Sequence, residues 1–136
     1  PPLRLQDFST KFVPAMDVWN KLMNKVRLDD AKMEFVENNP ENPHINYLRN
    51  PISGVRELVR FMGAVEPKLA EIKVPALVIQ SLGDPVVNPK GSRRIYNLLG
   101  SKDKEYILFN FKRHGILLGD GSNRVHKAIW DFIRHL

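Results

Sequence analysis

Residues 75–88, Pro-Ala-Leu-Val-Ile-Gln-Ser-Leu-Gly-Asp-Pro-Val-Val-Asn, constrain the architecture of this chain more than any other stretch. Ala76 to Ile79 form a short continuous apolar run with β-branched residues, opened by Pro75 and closed by polar and turn-forming residues. Such a run reads as a strand buried on both faces, the habit of parallel sheets. Asp84 stands beyond its carboxyl end, where open parallel sheets place ligands and chemistry. Asp84 is therefore positioned for function rather than packing.

The pattern repeats toward the carboxyl terminus. Asn88-Pro89 reads as an N-cap and a first helical residue, and the helix then carries Ile95, Leu98 and Leu99 up to Gly100, a C′ glycine. Tyr106 to Phe111 is a second strand, followed directly by Arg113-His114-Gly115. Gly121-Ser122 opens a last helix with Val125, Ala128, Ile129, Phe132, Ile133 and Leu136 on one face. Strand, helix, strand, helix predicts a right-handed crossover with two neighbouring parallel strands. One strand ends in Asp84 and the next in His114, so their side chains can reach hydrogen-bonding distance.

That pairing has a chemical use. A serine hydroxyl becomes a nucleophile when a histidine nitrogen takes its proton, and the histidine needs a buried carboxylate to hold the correct tautomer. Asp84 would orient His114, and His114 would be general base and then general acid. A plainer reading stands beside this one: a strand-terminal Asp can cap the next helix, and a His after a strand can satisfy a turn. Spacing alone leaves both open.

The chain ahead of Pro75 reads helical and irregular. Phe12, Ala15, Met16, Trp19, Leu22, Met23 and Val26 recur at helical spacing, with Ser9 as N-cap and Pro14 near the first turn. Ala31 to Glu37 reads as a short helical piece after Asp29-Asp30, stopped by Asn38-Asn39-Pro40. Residues 38–51, with three prolines and several asparagines, read as a loop. Val55, Leu58, Val59 and Met62 mark another helix with Ser53 as its cap, and Pro67 starts a short one ending near Ile72. His44 has no second histidine or carboxylate at metal-ligand spacing, so a solvated loop residue is the expectation and no metal is expected.

Composition narrows the rest. The 136 residues are about one domain's worth of chain, and no apolar run approaches the roughly 20 residues that cross a bilayer. With no cysteine, disulfides and thiolate chemistry are excluded. The net charge is +6, and most of the excess lies after residue 70. Its Lys and Arg are scattered over several elements without a dense tract or aromatic interleaving, so a solvated surface is expected and nucleic-acid binding ranks last. The chain opens Pro-Pro-Leu with neither an initiator methionine nor a signal-peptide pattern, and so reads as a piece of a longer protein; the cytoplasm is the default expectation for its compartment.

From Ile72 to Leu136 the sequence resembles the carboxyl-terminal part of an α/β-hydrolase, in the branch of carboxylesterases, monoacylglycerol lipases and lysophospholipases. The resembling pieces are Ile72-Lys73-Val74-Pro75-Ala76-Leu77-Val78-Ile79-Gln80, Gly83-Asp84-Pro85-Val86-Val87-Asn88-Pro89, the Ile95-Tyr96 helix, and His114 before the last helix. In that family the acid follows one late strand and the histidine the next, in the order Ser, Asp, His. The resemblance implies Asp84 and His114 as acid and base, no cofactor, and a small-molecule or lipid ester as substrate. It departs where the family often has glycine, at Gln80 or Ser81 and at Arg113.

The expected fold is a truncated α/β-hydrolase: a helical cap-like region over residues 1–72 and a two-stranded parallel β-α-β-α part over residues 73–136. No Gly-x-Ser-x-Gly occurs, and none of Ser9, Ser53, Ser81, Ser92, Ser101 or Ser122 has the strand-to-helix elbow context. The nucleophile and oxyanion hole are therefore expected upstream of Pro1, leaving this chain alone inactive. An unpaired sheet edge would associate with that missing half or with itself. Trp19, Met23 and Met62 are candidates for an acyl pocket in the cap, beside an ordinary core role. A non-catalytic binding or regulatory protein on the same fold is the alternative, separated by whether an upstream serine stands in an elbow.

Overall fold

The computed structural model describes residues 12–28, 31–37, 44 and 47–136. Residues 12–64 belong to one compact unit and residues 65–136 to another. The division falls after Ala64, earlier than the expected boundary after Ile72. A 3-10 helix, Glu66–Glu71, accounts for the difference because it packs on the carboxyl-terminal unit. The Gly100 N–H donates to the Leu69 carbonyl at 3.2 Å, and Arg94 pairs with Glu66. Pro67 stands in the first turn of this helix, as its fixed φ favours.

In the first unit, helix α1 (Val13–Lys25) tolerates Pro14 in its first turn, where no intrahelical N–H is lost. Its N-cap residue is Phe12, without a side-chain cap; the expected cap Ser9 lies outside the described residues. The expected helical piece at Ala31 to Glu37 is instead strand β1 (Phe35–Glu37), antiparallel to β2 (Arg49–Pro51), with Val36 opposite Asn50. Phe35 and Val36 suit a strand, and pairing with a segment that reads as loop overrides a weak local helical pattern. Asp29, Asp30 and the Asn38-Asn39-Pro40 stop lie outside the described residues.

Helix α2 (Ile52–Val65) begins directly after β2, so Ser53 lies inside its first turn rather than capping it. The Ile52 N–H donates to the Glu34 carbonyl at 2.9 Å, satisfying one early helical donor from the neighbouring segment. Val13, Val36, Ile52 and Val55 form the core, with Met16 packed against it. Met23 and Met62 are buried, while Trp19 is half exposed with its indole N–H donating to the Ala31 carbonyl at 2.9 Å. Asp17 joins α1 to α2 through Arg56 at 2.7 Å and pairs with Lys21 of its own helix at 2.9 Å.

The second unit carries strand β3 (Ala76–Ser81), helix α3 (Pro89–Leu98), strand β4 (Lys104–Phe109) and helix α4 (Ser122–Arg134). β3 and β4 pair in parallel with Ala76 opposite Lys104 and Ser81 opposite Phe109. The parallel pairing of two strands around one helix is the expected one, but β4 starts and ends two residues before the expected Tyr106 to Phe111. β3 is not buried on both faces: Ala76 to Ile79 are half buried, and only Gln80 and Ser81 are buried. Among the described residues β3 pairs with β4 alone. Leu77 and Ile79 of β3 and Val125, Ile129 and Phe132 of α4 line an apolar cavity of about 430 Å³.

Helix α3 is capped as its sequence predicts. The Asn88 side chain accepts the Lys90 N–H at 2.9 Å and Pro89 follows in the first turn. At its other end the Lys104 ammonium donates to the Tyr96 and Leu99 carbonyls at 2.8 and 2.7 Å, a cation on the negative end of the helix dipole. Gly100 is not the left-handed C′ residue expected; among the described glycines only Gly119 and Gly121 have positive φ. Glycine is needed at 100 for space, because a Cβ there would collide with the Ala70 carbonyl oxygen and meet its carbon at 2.8 Å.

Candidate functional site

The two strand ends stay tied together past the ladder. The Leu82 N–H donates to the Phe109 carbonyl at 2.8 Å, and the Gly83 N–H donates to the Phe111 carbonyl at 2.9 Å. The Ser81 hydroxyl donates to that same Phe111 carbonyl at 2.9 Å, filling its second lone pair. The approach at Gly83 is close enough that a Cβ would lie 2.8 Å from the Phe111 oxygen. These bonds hold the segment after β3 against the segment after β4, which brings residues 84 and 114 together.

The carboxylate of Asp84 is 3% exposed and accepts four N–H groups. Oδ1 accepts from the backbone N–H of Val86 at 2.8 Å and of Val87 at 2.9 Å. Oδ2 accepts from Gln80 Nε2 at 2.8 Å and lies 2.8 Å from His114 Nδ1. Asp84 thus bends the turn after β3 and engages the histidine at once. It does not cap α3, since Asn88 does that. The His114 side chain is 51% exposed, so one side of the pair is dry and the other open to solvent.

Burial is the largest single influence on the Asp84 carboxyl and pushes its pKa up, since it penalises the charged form. The Val87 N–H, His114, the Val86 N–H and Gln80 together outweigh burial and hold the pKa below the usual carboxylate range. A depressed carboxyl pKa contributes stability that is fully present above the unfolded value of about 4 and is lost as pH falls through the folded value. The Asp84→Asn variant is therefore expected to lose less stability than the wild type between pH 5 and the acid limit of folding, read as urea midpoints. Equal acid slopes in the two proteins would contradict this.

The loop carrying His114 is fastened by its neighbour. Arg113 Nε donates to the Gly115 carbonyl at 3.0 Å and Nη2 to the Asp120 carbonyl at 2.7 Å, with the guanidinium 4.8 Å from the Phe111 ring centroid. Gly121, at φ 74°, then admits the chain into α4 in a left-handed turn that favours glycine. His126 Nε2 lies 2.8 Å from the Leu117 carbonyl oxygen in the same loop.

Both residues singled out from sequence, Asp84 and His114, are brought together here. The described serines are committed elsewhere or stand in helices. Ser81, Ser92 and Ser101 donate to the Phe111, Pro89 and Asp103 carbonyls at 2.9, 2.9 and 2.7 Å, while Ser53 and Ser122 lie in the first turns of α2 and α4. Sequence reasoning missed Gln80, Gly83 and Arg113 as parts of the site. A buried-strand position occupied by glutamine four residues before a strand-terminal Asp was the available signal. Among the described residues there is no group of three His, Cys, Asp or Glu side chains arranged to hold a metal, and no helix is long and apolar enough to cross a membrane.

Comparison with known proteins agrees with this topology. The chain is 26% identical over 121 residues to caffeoylshikimate esterase of Arabidopsis thaliana, a match covering 85% of this chain and 35% of that protein. It is 28% identical over 98 residues to a thermostable monoacylglycerol lipase of Bacillus sp. (strain H-257), covering 71% of this chain and 39% of that one. The chain thus spans well under half the length of these curated relatives. Among solved structures, one from work on LipS and LipT, two metagenome-derived lipolytic enzymes, gives a TM-score of 0.71 at 21% identity, over 99% of this chain and 52% of its own. The monoacylglycerol lipase of Paleococcus ferrophilus gives 0.64 at 20% identity, over 92% of this chain and 52% of its own. These structural likenesses establish the fold, a partial α/β-hydrolase. A family model described as serine aminopeptidase, S33, matches residues 2–120, a span that contains both Asp84 and His114, and by that match the chain belongs to this family of α/β-hydrolases.

Proposed function

We propose that Asp84 and His114 are the acid and the base of a serine hydrolase that cleaves carboxylic esters. The 2.8 Å contact between a buried, four-bonded carboxylate and Nδ1 of a half-exposed imidazole carries this reading. With Nδ1 turned to Asp84, proton exchange with a nucleophile falls to Nε2. His114 takes the proton of a serine hydroxyl as that oxygen attacks the ester carbonyl, then returns it to the departing alcohol. Asp84 stabilises the imidazolium formed in between and remains ionised, as its depressed pKa favours.

The nucleophilic serine and the oxyanion hole belong, on this reading, to chain upstream of Pro1. The length of the relatives supports it, since the chain spans 35% and 39% of two of them. The esterase and lipase names of those relatives favour an ester substrate, small or lipid. The open edge of β3 is then where upstream strands pair, and residues 12–64 correspond to the cap. Of the three residues suggested for an acyl pocket, Met23 and Met62 are buried in that unit's interior, which leaves Trp19 as the better candidate.

The test compares two proteins on p-nitrophenyl esters of graded acyl length. A chain extended through the upstream half is expected to turn them over in a His114-dependent manner, and residues 1–136 alone are not. His114-dependent turnover by the short chain would contradict the assignment of the nucleophile. Ester binding without turnover by the extended chain would favour a non-catalytic binder.

A further inference from the structure

Gln80 is 8% exposed and sits in β3 four residues before Asp84. Its Nε2 donates to Asp84 Oδ2 at 2.8 Å and to the Ser81 carbonyl at 3.2 Å. Both partners are acceptors, so the amide nitrogen must face them, and inverting the amide would set its oxygen against a carboxylate. An ionised carboxylate offers about four acceptor positions. Here four N–H groups meet them, two on each oxygen. Oδ2 is shared between Gln80 and His114, so the carboxylate cannot rotate without breaking bonds on both oxygens.

We propose that Gln80 is a positioning residue, which fixes the oxygen that Asp84 presents to His114 and limits how strongly that oxygen holds the imidazolium. The inference rests on the hydrolase reading for its catalytic meaning. Among the described residues His114 is the titratable side chain bonded to this carboxylate, and the adjacent Arg113 is committed to the Gly115 and Asp120 carbonyls. The Gln80 N–H withdraws charge from Oδ2. Without it Oδ2 becomes a stronger acceptor for the His114 Nδ1–H alone. The carboxylate also loses one of its restraints, so the base is less well aimed.

The experiment is an NMR measurement of the His114 ring Nδ1–H and ring nitrogen resonances in the 136-residue chain at one fixed pH, assigned by their loss in His114→Gln. Gln80→Met keeps the length of the side chain but donates nothing, and Gln80→Leu likewise removes the donor with a different shape. The Nδ1–H resonance is expected to move downfield in both variants, because an Oδ2 left to His114 alone accepts more strongly. In the complete hydrolase kcat is expected to fall about tenfold with KM little changed. A folded variant of either kind with an unmoved Nδ1–H resonance would overturn the proposal. If one variant fails to fold, the other decides. The measurement needs no turnover. An unmoved resonance in a chain whose complete form is active counts against Gln80 alone, and a moved resonance in one whose complete form is inactive counts against the hydrolase reading alone.

Discussion

Asp84→Asn in the complete hydrolase is expected to lower kcat by about 10⁴-fold while leaving the fold intact. Asparagine has the shape of aspartate, and its oxygen can still accept the Val86 and Val87 N–H groups, which lie 2.8 and 2.9 Å from Oδ1. Its NH₂ then takes the place of Oδ2, where Gln80 and His114 both come within 2.8 Å. Gln80 presents a donor to a donor. His114 must offer an unprotonated Nδ1, which moves its proton to Nε2 and disables it as a base. Steady-state kinetics with matched circular dichroism spectra would show the loss in kcat with little change in KM. A loss smaller than tenfold would remove Asp84 from the catalytic machinery.

Gly100→Ala is expected to destabilise the chain by about 3 kcal/mol, since neither the Ala70 backbone nor the α3 terminus can yield without opening the contact. For a chain of this size that is a drop of about 10 °C in Tm. The added Cβ meets Ala70 backbone atoms on the 3-10 helix, while the Gly100 N–H donates to Leu69 at 3.2 Å. Gly63 provides the contrast. It lies inside α2 with no atom within 4 Å of an added Cβ, so Gly63→Ala is expected to raise stability by about 0.5 to 1 kcal/mol. Thermal or urea unfolding of the two variants side by side checks both signs. Equal small effects would show that the Ala70 contact does not constrain position 100.

The pair Asp84 and His114 was legible because each follows an apolar strand, and parallel pairing of those strands leaves few places for their ends to go. The helix between them was equally legible from Asn88-Pro89. Gln80, Gly83 and Arg113 were not, because their roles depend on how two segments some thirty residues apart lie against each other. Gly100 shows the same limit: its position at a helix end suggested left-handed backbone, whereas its need arises from a contact with a segment thirty residues earlier. β1 and β2 escaped because three-residue strands carry almost no periodic signal, and the partner segment is rich in asparagine and proline. The half-burial of β3 reflects the absence of a second neighbouring strand among the described residues, which an apolar run cannot disclose.

On the proposed reading this chain supplies the acid and base to a serine that it does not itself contain. Covalent labelling with a fluorophosphonate probe tests that most directly, on residues 1–136 and on a chain extended through the upstream half. Labelling is expected in the extended protein alone, at an upstream serine, abolished by His114→Ala and weakened by Asp84→Asn. Labelling of the extended protein that persists undiminished in His114→Ala would contradict it, as would labelling of a serine within residues 1–136.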